Sequence, residues 1–285
     1  MWFLLSFGSA FFDSIKDVFG KQSSLDHDEY VAAWSQRFYA SFLLTPLMFL
    51  YWPKTVNAEF WRAFVIVAAL ATVASIWYMK ALKYSPLSMV VPIASFAPIF
   101  SIVTASVVNH ELPGRLGIIG VCLAAAGAYI LQFSKRHAHW LAPLTSIFTD
   151  RGSRLMFGVA LLWGVTSAYD KVAVQQANAF FYVGAINIVY MFTLMPFLLH
   201  RPERLKKIFT HARQLAPIGF GQALAVLCQM LALPLTFVAY VGAVKRASSI
   251  FGVAWGKWFF KEENIGERLI GAGVILAGVV LMIVG

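Results

Sequence analysis

The chain has 285 residues, 60% hydrophobic and only 13% charged, with a mean hydropathy of +0.72. A water-soluble domain carries about twice that charged fraction, so the composition excludes one and indicates a polytopic membrane protein. The net charge of +10 does not point to nucleic acid, because the surplus cations lie in short loops between apolar runs, where orientation signals lie.

Ten apolar runs follow one another, at 2–20, 30–51, 61–82, 86–108, 115–133, 155–175, 180–199, 215–235, 238–260 and 267–285. Each is long enough to cross about 30 Å of hydrocarbon as a helix. The first, MWFLLSFGSAFF, has no basic leader and runs into Asp13, Lys16 and Asp17. It reads as a first membrane span rather than a removable signal. The connections hold breakers such as Pro53, Ser85-Pro86, Pro113-Gly114 and Pro202. Between the eighth and ninth spans only Pro234 and Thr236 mark a break. Trp52, Trp61, Trp140 and Trp258 fall near span ends, as an interfacial belt requires. Loops after odd-numbered spans hold or abut 15 of the Lys and Arg residues, and loops after even-numbered spans hold 3. That bias places the odd loops in the cytoplasm and both termini outside an inner (plasma) membrane.

The two halves resemble each other. A shift of 151 residues carries Glu111 onto Glu262, Gly120 onto Gly271 and Gly127 onto Gly278. Glycines seven apart share a helix face and admit a close neighbour. At the start of each half two alignments compete, Asp17 over Asp170 and Lys21 over Lys171. Five spans per half is an odd number, so the halves insert in opposite directions, an alternating-access architecture with a site between them. The expected fold is therefore all-α: ten transmembrane helices in two inverted five-helix repeats, residues 1–134 and 155–285, joined by a cytoplasmic linker at 135–154.

The run ALKYSPLSMVVPIASFAPIFSIVTASVVNHE with LPGRLGIIGVCLAAAGAYIL, and its echo WGKWFFKEENIGERLIGAGVILAGVVL, resembles the closing half-repeat of the drug/metabolite transporter superfamily, EamA type. The resemblance covers essentially the whole chain and implies a transporter of small metabolites. A shorter likeness links VGAVKRASSIFG to the ninth-helix segment of plastid phosphate translocators and their nucleotide-sugar relatives. There the Lys-Arg pair binds a substrate phosphate, a role that the likeness carries to Lys245 and Arg246 alone.

Five cations fall within spans: Lys16, Arg37, Lys171, Lys245 and Arg246. Each costs about 2.5–3.5 kcal/mol at a helix centre, which calls for an acid, a watery cavity or an anionic solute beside it. Lys245 and Arg246 lie too deep to reach either surface and are the first candidates for binding an anion. The plain alternative is an internal ion pair with Asp13, Asp17 or Asp170, the three candidates for proton coupling or counter-ions. Asp13, Lys16 and Asp17 share one helix face, as a polar lining or a self-neutralising cluster. Asp170 and Lys171 read either as site residues or as an interfacial pair capping a helix end. Arg37, beside Gln36, can snorkel and ranks lower. Tyr169, Trp163, Tyr240 and Trp255 lie on spans six and nine with the charges and are candidate lining aromatics. Gln222 and Gln229 form a polar stripe that lines a cavity or joins two helices.

The six histidines are scattered, the two cysteines lie apart in apolar runs, and no triad, Walker loop or dinucleotide fingerprint occurs. No metal, cofactor or enzymatic activity is expected. The expected partners are a small-molecule substrate, the bilayer and protons as a coupling ion, with a homodimer left open by the glycine-rich last span. The reading is a secondary transporter of a small polar anion. The alternatives are an exporter of neutral or zwitterionic metabolites and, in another class, a non-transporting subunit or a lipid-modifying enzyme.

Overall fold

The computed structural model describes residues 1–23, 29–132, 141–199, 203–260 and 265–285. Among the described residues the regular structure is helical throughout. The ten spans are α1 (Trp2–Ser23), α2 (Glu29–Leu50), α3 (Ala58–Tyr84), α4 (Leu87–Ala94) with α5 (Ala97–Val108), α6 (Arg115–Gln132), α8 (Arg151–Gln176), α9 (Ala179–Leu199), α11 (Ala212–Ala232), α12 (Val238–Lys245) with α13 (Ser248–Phe260), and α14 (Ile265–Val284). Two short helices were expected as loop: α7 (Ala142–Thr149) and α10 (Glu203–Thr210). In α10, Ile208 is buried while Lys206 and Phe209 stay exposed, the arrangement of a helix lying along an interface. By length and apolarity alone five stretches qualify as membrane-crossing, 58–84, 88–108, 115–132, 179–196 and 212–235.

Local chemistry sets the boundaries. Asn57 accepts from the Phe60 N–H at 2.9 Å and starts α3, while Asp150 accepts from the Ser153 N–H at 2.8 Å and starts α8. Such caps satisfy otherwise orphaned donors. As a result α3 and α8 begin three and four residues ahead of the apolar pattern. The break after α11 falls where Pro234 and Thr236 pointed, through a 3-10 turn at Leu233–Leu235 and an extended Thr236.

The fourth and ninth spans, expected as continuous helices, are both broken. Ser95 and Phe96 interrupt the fourth, Arg246 and Ala247 the ninth. At both places hydrogen bonds tighten to the third residue back: Ser95 N–H to Pro92 O at 3.1 Å, and Arg246 N–H to Ala243 O at 3.0 Å. Ser95 and Arg246 share one backbone geometry, φ −64° and ψ −16°, and the same 151-residue shift relates them. In the first half Pro98 removes the donor that would have closed the helix onto Ala94. The second half reaches the same geometry with Ser249 in that place.

The halves interleave. α6 packs on α14, α2 on α9, α3 on α8 and α1 on α11, so each span meets a span of the other half. α2 and α9 carry Pro46 and Pro196 at a shift of 150. That shift favours the alignment of Lys21 with Lys171. At the α6–α14 crossing, a Cβ on Gly120 would lie 2.6 Å from Gly278 O and one on Gly127 2.7 Å from Gly271 O. The pairing is reciprocal, so the two helices run antiparallel across the dyad. Helices in lipid gain little from hydrophobicity and associate through such close backbone packing. The glycine face of the last span is thus occupied within the chain. Outward, Phe42, Val65, Phe192, Leu276 and Ile283 are exposed, as lipid-facing side chains are. Trp52, Trp61 and Trp258 are exposed as well, and Trp140 lies outside the described residues.

Candidate functional site

The break in the ninth span positions the two central cations. Lys245 ends α12 and Arg246 is the turn residue after it. Opposite, α1 presents Asp13, Lys16 and Asp17. Lys16 Nζ donates to Asp13 Oδ1 at 2.6 Å, and Lys245 Nζ lies 3.4 Å from Asp13 Oδ2. Lys245 also donates to Gln229 Oε1 on α11 at 2.7 Å. Asp13 thus sits between two lysines with 12% of its side chain accessible. Asp17 lies 3.6 Å from Lys16 and is 65% exposed, so water screens it.

Arg246 differs from its neighbour. It is half-buried, its Nε is buried without a hydrogen-bond partner, and among the described residues no acid pairs with it. Asp13 acts on it through space. The pair faces the bundle interior, where Trp255 donates from Nε1 to Ser14 Oγ at 3.1 Å and closes α13 onto α1 beside Asp13.

The other polar candidates go elsewhere. Asp170, 9% exposed, accepts from the hydroxyl of Tyr182 on α9, not from Lys245. It does not pair with Lys171 either. Lys171 points to the other side of α8, forms an ion pair with Glu111 and donates to Thr236 O at 2.7 Å. Lys171 is 3% exposed, which a solvent-facing cap at a helix end would not be. Arg37 lies over the Tyr190 ring, 4.8 Å from its centroid, held in the bundle rather than extended to the surface. Gln222 accepts from Gln36 Nε2 at 2.6 Å and joins α11 to α2. Gln132, at the end of α6, accepts from Ser95 at 3.0 Å and donates to Ser249 at 3.2 Å. One side chain thereby ties together the two broken spans.

Of the aromatics, Tyr240 packs away from the charges. It is 4% exposed, lies against Trp2 and Phe237, and fills the space over Gly117, where a Cβ would stand 1.8 Å from its hydroxyl oxygen. Trp163 adjoins Tyr78 of α3 at 5.8 Å. Tyr169 is half-buried against the apolar core around Phe60, Tyr182 and Leu233. The structure thus brings together Lys245, Arg246, Asp13 and Asp17, adds Lys16 and Gln229, and leaves Asp170, Tyr240 and Tyr169 in separate surroundings. Glu111, Tyr182 and Tyr190 were not singled out as site residues. Their signal was faint: an acid just past an apolar run, and two tyrosines among many.

The sequence pattern of the EamA-like transporter family matches residues 1–133 and 150–284. A protein of known crystal structure superposes with a TM-score of 0.78 at 13% identity, over 99% of this chain and 96% of the other. At that identity the likeness concerns the fold alone. No curated protein matches the chain in sequence.

Proposed function

The chain belongs to the EamA-like transporter family, and from that premise we propose that it moves a small polar anion, bearing a carboxylate or phosphate, across the inner membrane by alternating access. The observation that supports this reading is Arg246, a permanent cation inside the bundle whose Nε is buried without a hydrogen-bond partner and which, among the described residues, no acid pairs with. A guanidinium offers a planar fork of donors that matches a carboxylate or phosphate edge. Lys245 adds a compact charge next to it, and α13 starts two residues on, so the positive end of its dipole adds to the attraction.

The loop-cation bias supports an orientation with both termini outside. On that orientation, Lys171 near the end of the sixth span, with Glu111 and Thr236 just after the fourth and eighth, closes the outer end of the pathway. The breaks at Ser95–Phe96 and Arg246–Ala247 serve as the points at which the fourth and ninth spans bend as the pathway opens first to one side and then to the other.

A second reading has one observation in its favour. Asp13 already neutralises Lys245, as it would in a carrier of neutral or zwitterionic solutes. Uptake into proteoliposomes, screened over phosphorylated, carboxylated and neutral metabolites, decides between them. The anion reading expects uptake of an anion that Lys245→Ala lowers about tenfold or more, since a hydrogen bond to a charged group contributes roughly 1.5–3 kcal/mol. Undiminished anion uptake by that variant contradicts it. Uptake of neutral solutes alone establishes the second reading.

A further inference from the structure

The interior charges leave a remainder. Lys171 is matched by Glu111. Arg37 lies over the Tyr190 ring and Asp170 is hydrogen-bonded to Tyr182, and neither is in ion-pair contact with the group at the ninth-span break. What remains is the group at the ninth-span break: Lys16, Lys245 and Arg246 against Asp13 and Asp17. Among the described residues three cations face two acids, and the one without an acid in ion-pair contact is Arg246.

We infer that the transported solute carries one net negative charge when bound, and that Asp13 is the residue that sets this number. The inference rests on Lys245 and Arg246 being the anion site. A neutral solute would leave Arg246 uncompensated in a poorly solvated interior. A solute with two negative charges would overshoot by one, and the surplus would lie near Asp13, which is held in place by Lys16 at 2.6 Å. At an effective dielectric constant near 20, a like charge about 6–8 Å away is enough for a preference of about tenfold or more. Asp17 contributes to the sum but is 65% exposed and screened, whereas Asp13 is buried and fixed between two lysines.

The test uses the full chain in detergent micelles at pH 7.5 and three probes on one skeleton: dimethyl succinate, monomethyl succinate and succinate, with zero, one and two charges. Nitrate and sulfate serve as a second, compact pair. Binding is read by calorimetry and by the shift in thermal unfolding. Wild type is expected to bind the singly charged member of each set about tenfold more tightly than the others. Asp13→Asn adds one positive charge without changing shape and is expected to turn the preference towards succinate and sulfate. Lys16→Gln removes one positive charge and is expected to erase the preference for monomethyl over dimethyl succinate; it keeps the test decisive if Asp13→Asn does not fold. Should the variants bind anions with the wild-type order of preference, the charge count is overturned while the anion site stands. Should no anion in the panel bind wild type, or Lys245→Ala leave anion binding unchanged, the anion site itself is overturned.

Discussion

The α6–α14 crossing gives the fold its sharpest test. In Gly278→Ala the new Cβ would stand 2.5 Å from Gly120 O, 2.7 Å from Ala124 N and 3.3 Å from Ala124 Cα. All three are backbone atoms, which no rotamer change can move. Ordinary contact begins near 3.4 Å, so the helices must part by close to 1 Å. A gap of that size forfeits a quarter to a half of each atom-pair attraction along the seam, and misfits of this kind cost about 1–3 kcal/mol. Gly273→Ala is the control on the same helix, because nothing lies within 4 Å of its Cβ. Reversible unfolding in mixed micelles, followed by tryptophan fluorescence, measures both. Gly278→Ala is expected to lose about 1–3 kcal/mol relative to Gly273→Ala. Adding Gly120→Ala should cost less than it does alone, because the two changes part the same helices. Equal stability of Gly278→Ala and Gly273→Ala would refute the close crossing and the dyad drawn through it.

Further expectations concern charge and capping. Glu111→Leu strands Lys171 and is expected to cost about 3–5 kcal/mol, while adding Lys171→Met restores most of it, since a buried pair is costly to break but not to replace; unfolding of the three variants checks this. Asp150→Ala removes the α8 cap and the 2.5 Å hydrogen bond from Ser85, and should cost about 1 kcal/mol. Partial burial pushes the Asp150 carboxyl up, but hydrogen bonds from Ser85 and from the Ser153 and Gly152 N–H groups outweigh it and hold the group below the usual carboxylate range. A lowered folded value means that this contribution is complete above the unfolded value near 4 and fades as pH falls through the folded value. The stability gap between wild type and Asp150→Asn should accordingly shrink below pH 4 and stay constant above pH 5, as unfolding at each pH will show.

Much of the fold was legible because hydrocarbon imposes a simple rule: about twenty apolar residues per crossing. The repeat was legible through glycines and Glu111, whose spacing survives when packing requires it. The breaks at Ser95 and Arg246 were not, because both turns keep right-handed helical angles and contain no glycine. Pro98 pointed to the first, and nothing comparable marks the second. α10 escaped because eight residues are too few for a span and too charged to stand out among loops. At the site, Lys245, Arg246 and Asp13 announced themselves as charges in the wrong solvent. Which acid meets which cation depends on the interleaving of the halves, and a single sequence does not encode that in any local pattern. Lys171 illustrates this: its sequence neighbour Asp170 lies on another side of α8, and its partner Glu111 comes from the opposite half.

Counterflow in proteoliposomes tests the central claim most directly. Vesicles holding wild-type protein and an excess of unlabelled anion, found in the uptake screen, are mixed with a trace of the labelled anion outside. The account predicts rapid accumulation of label by wild type and a loss of about tenfold or more with Arg246→Gln, in protein that unfolds at the wild-type temperature. Counterflow at the wild-type rate with Arg246→Gln would contradict the placement of the anion at the break in the ninth span.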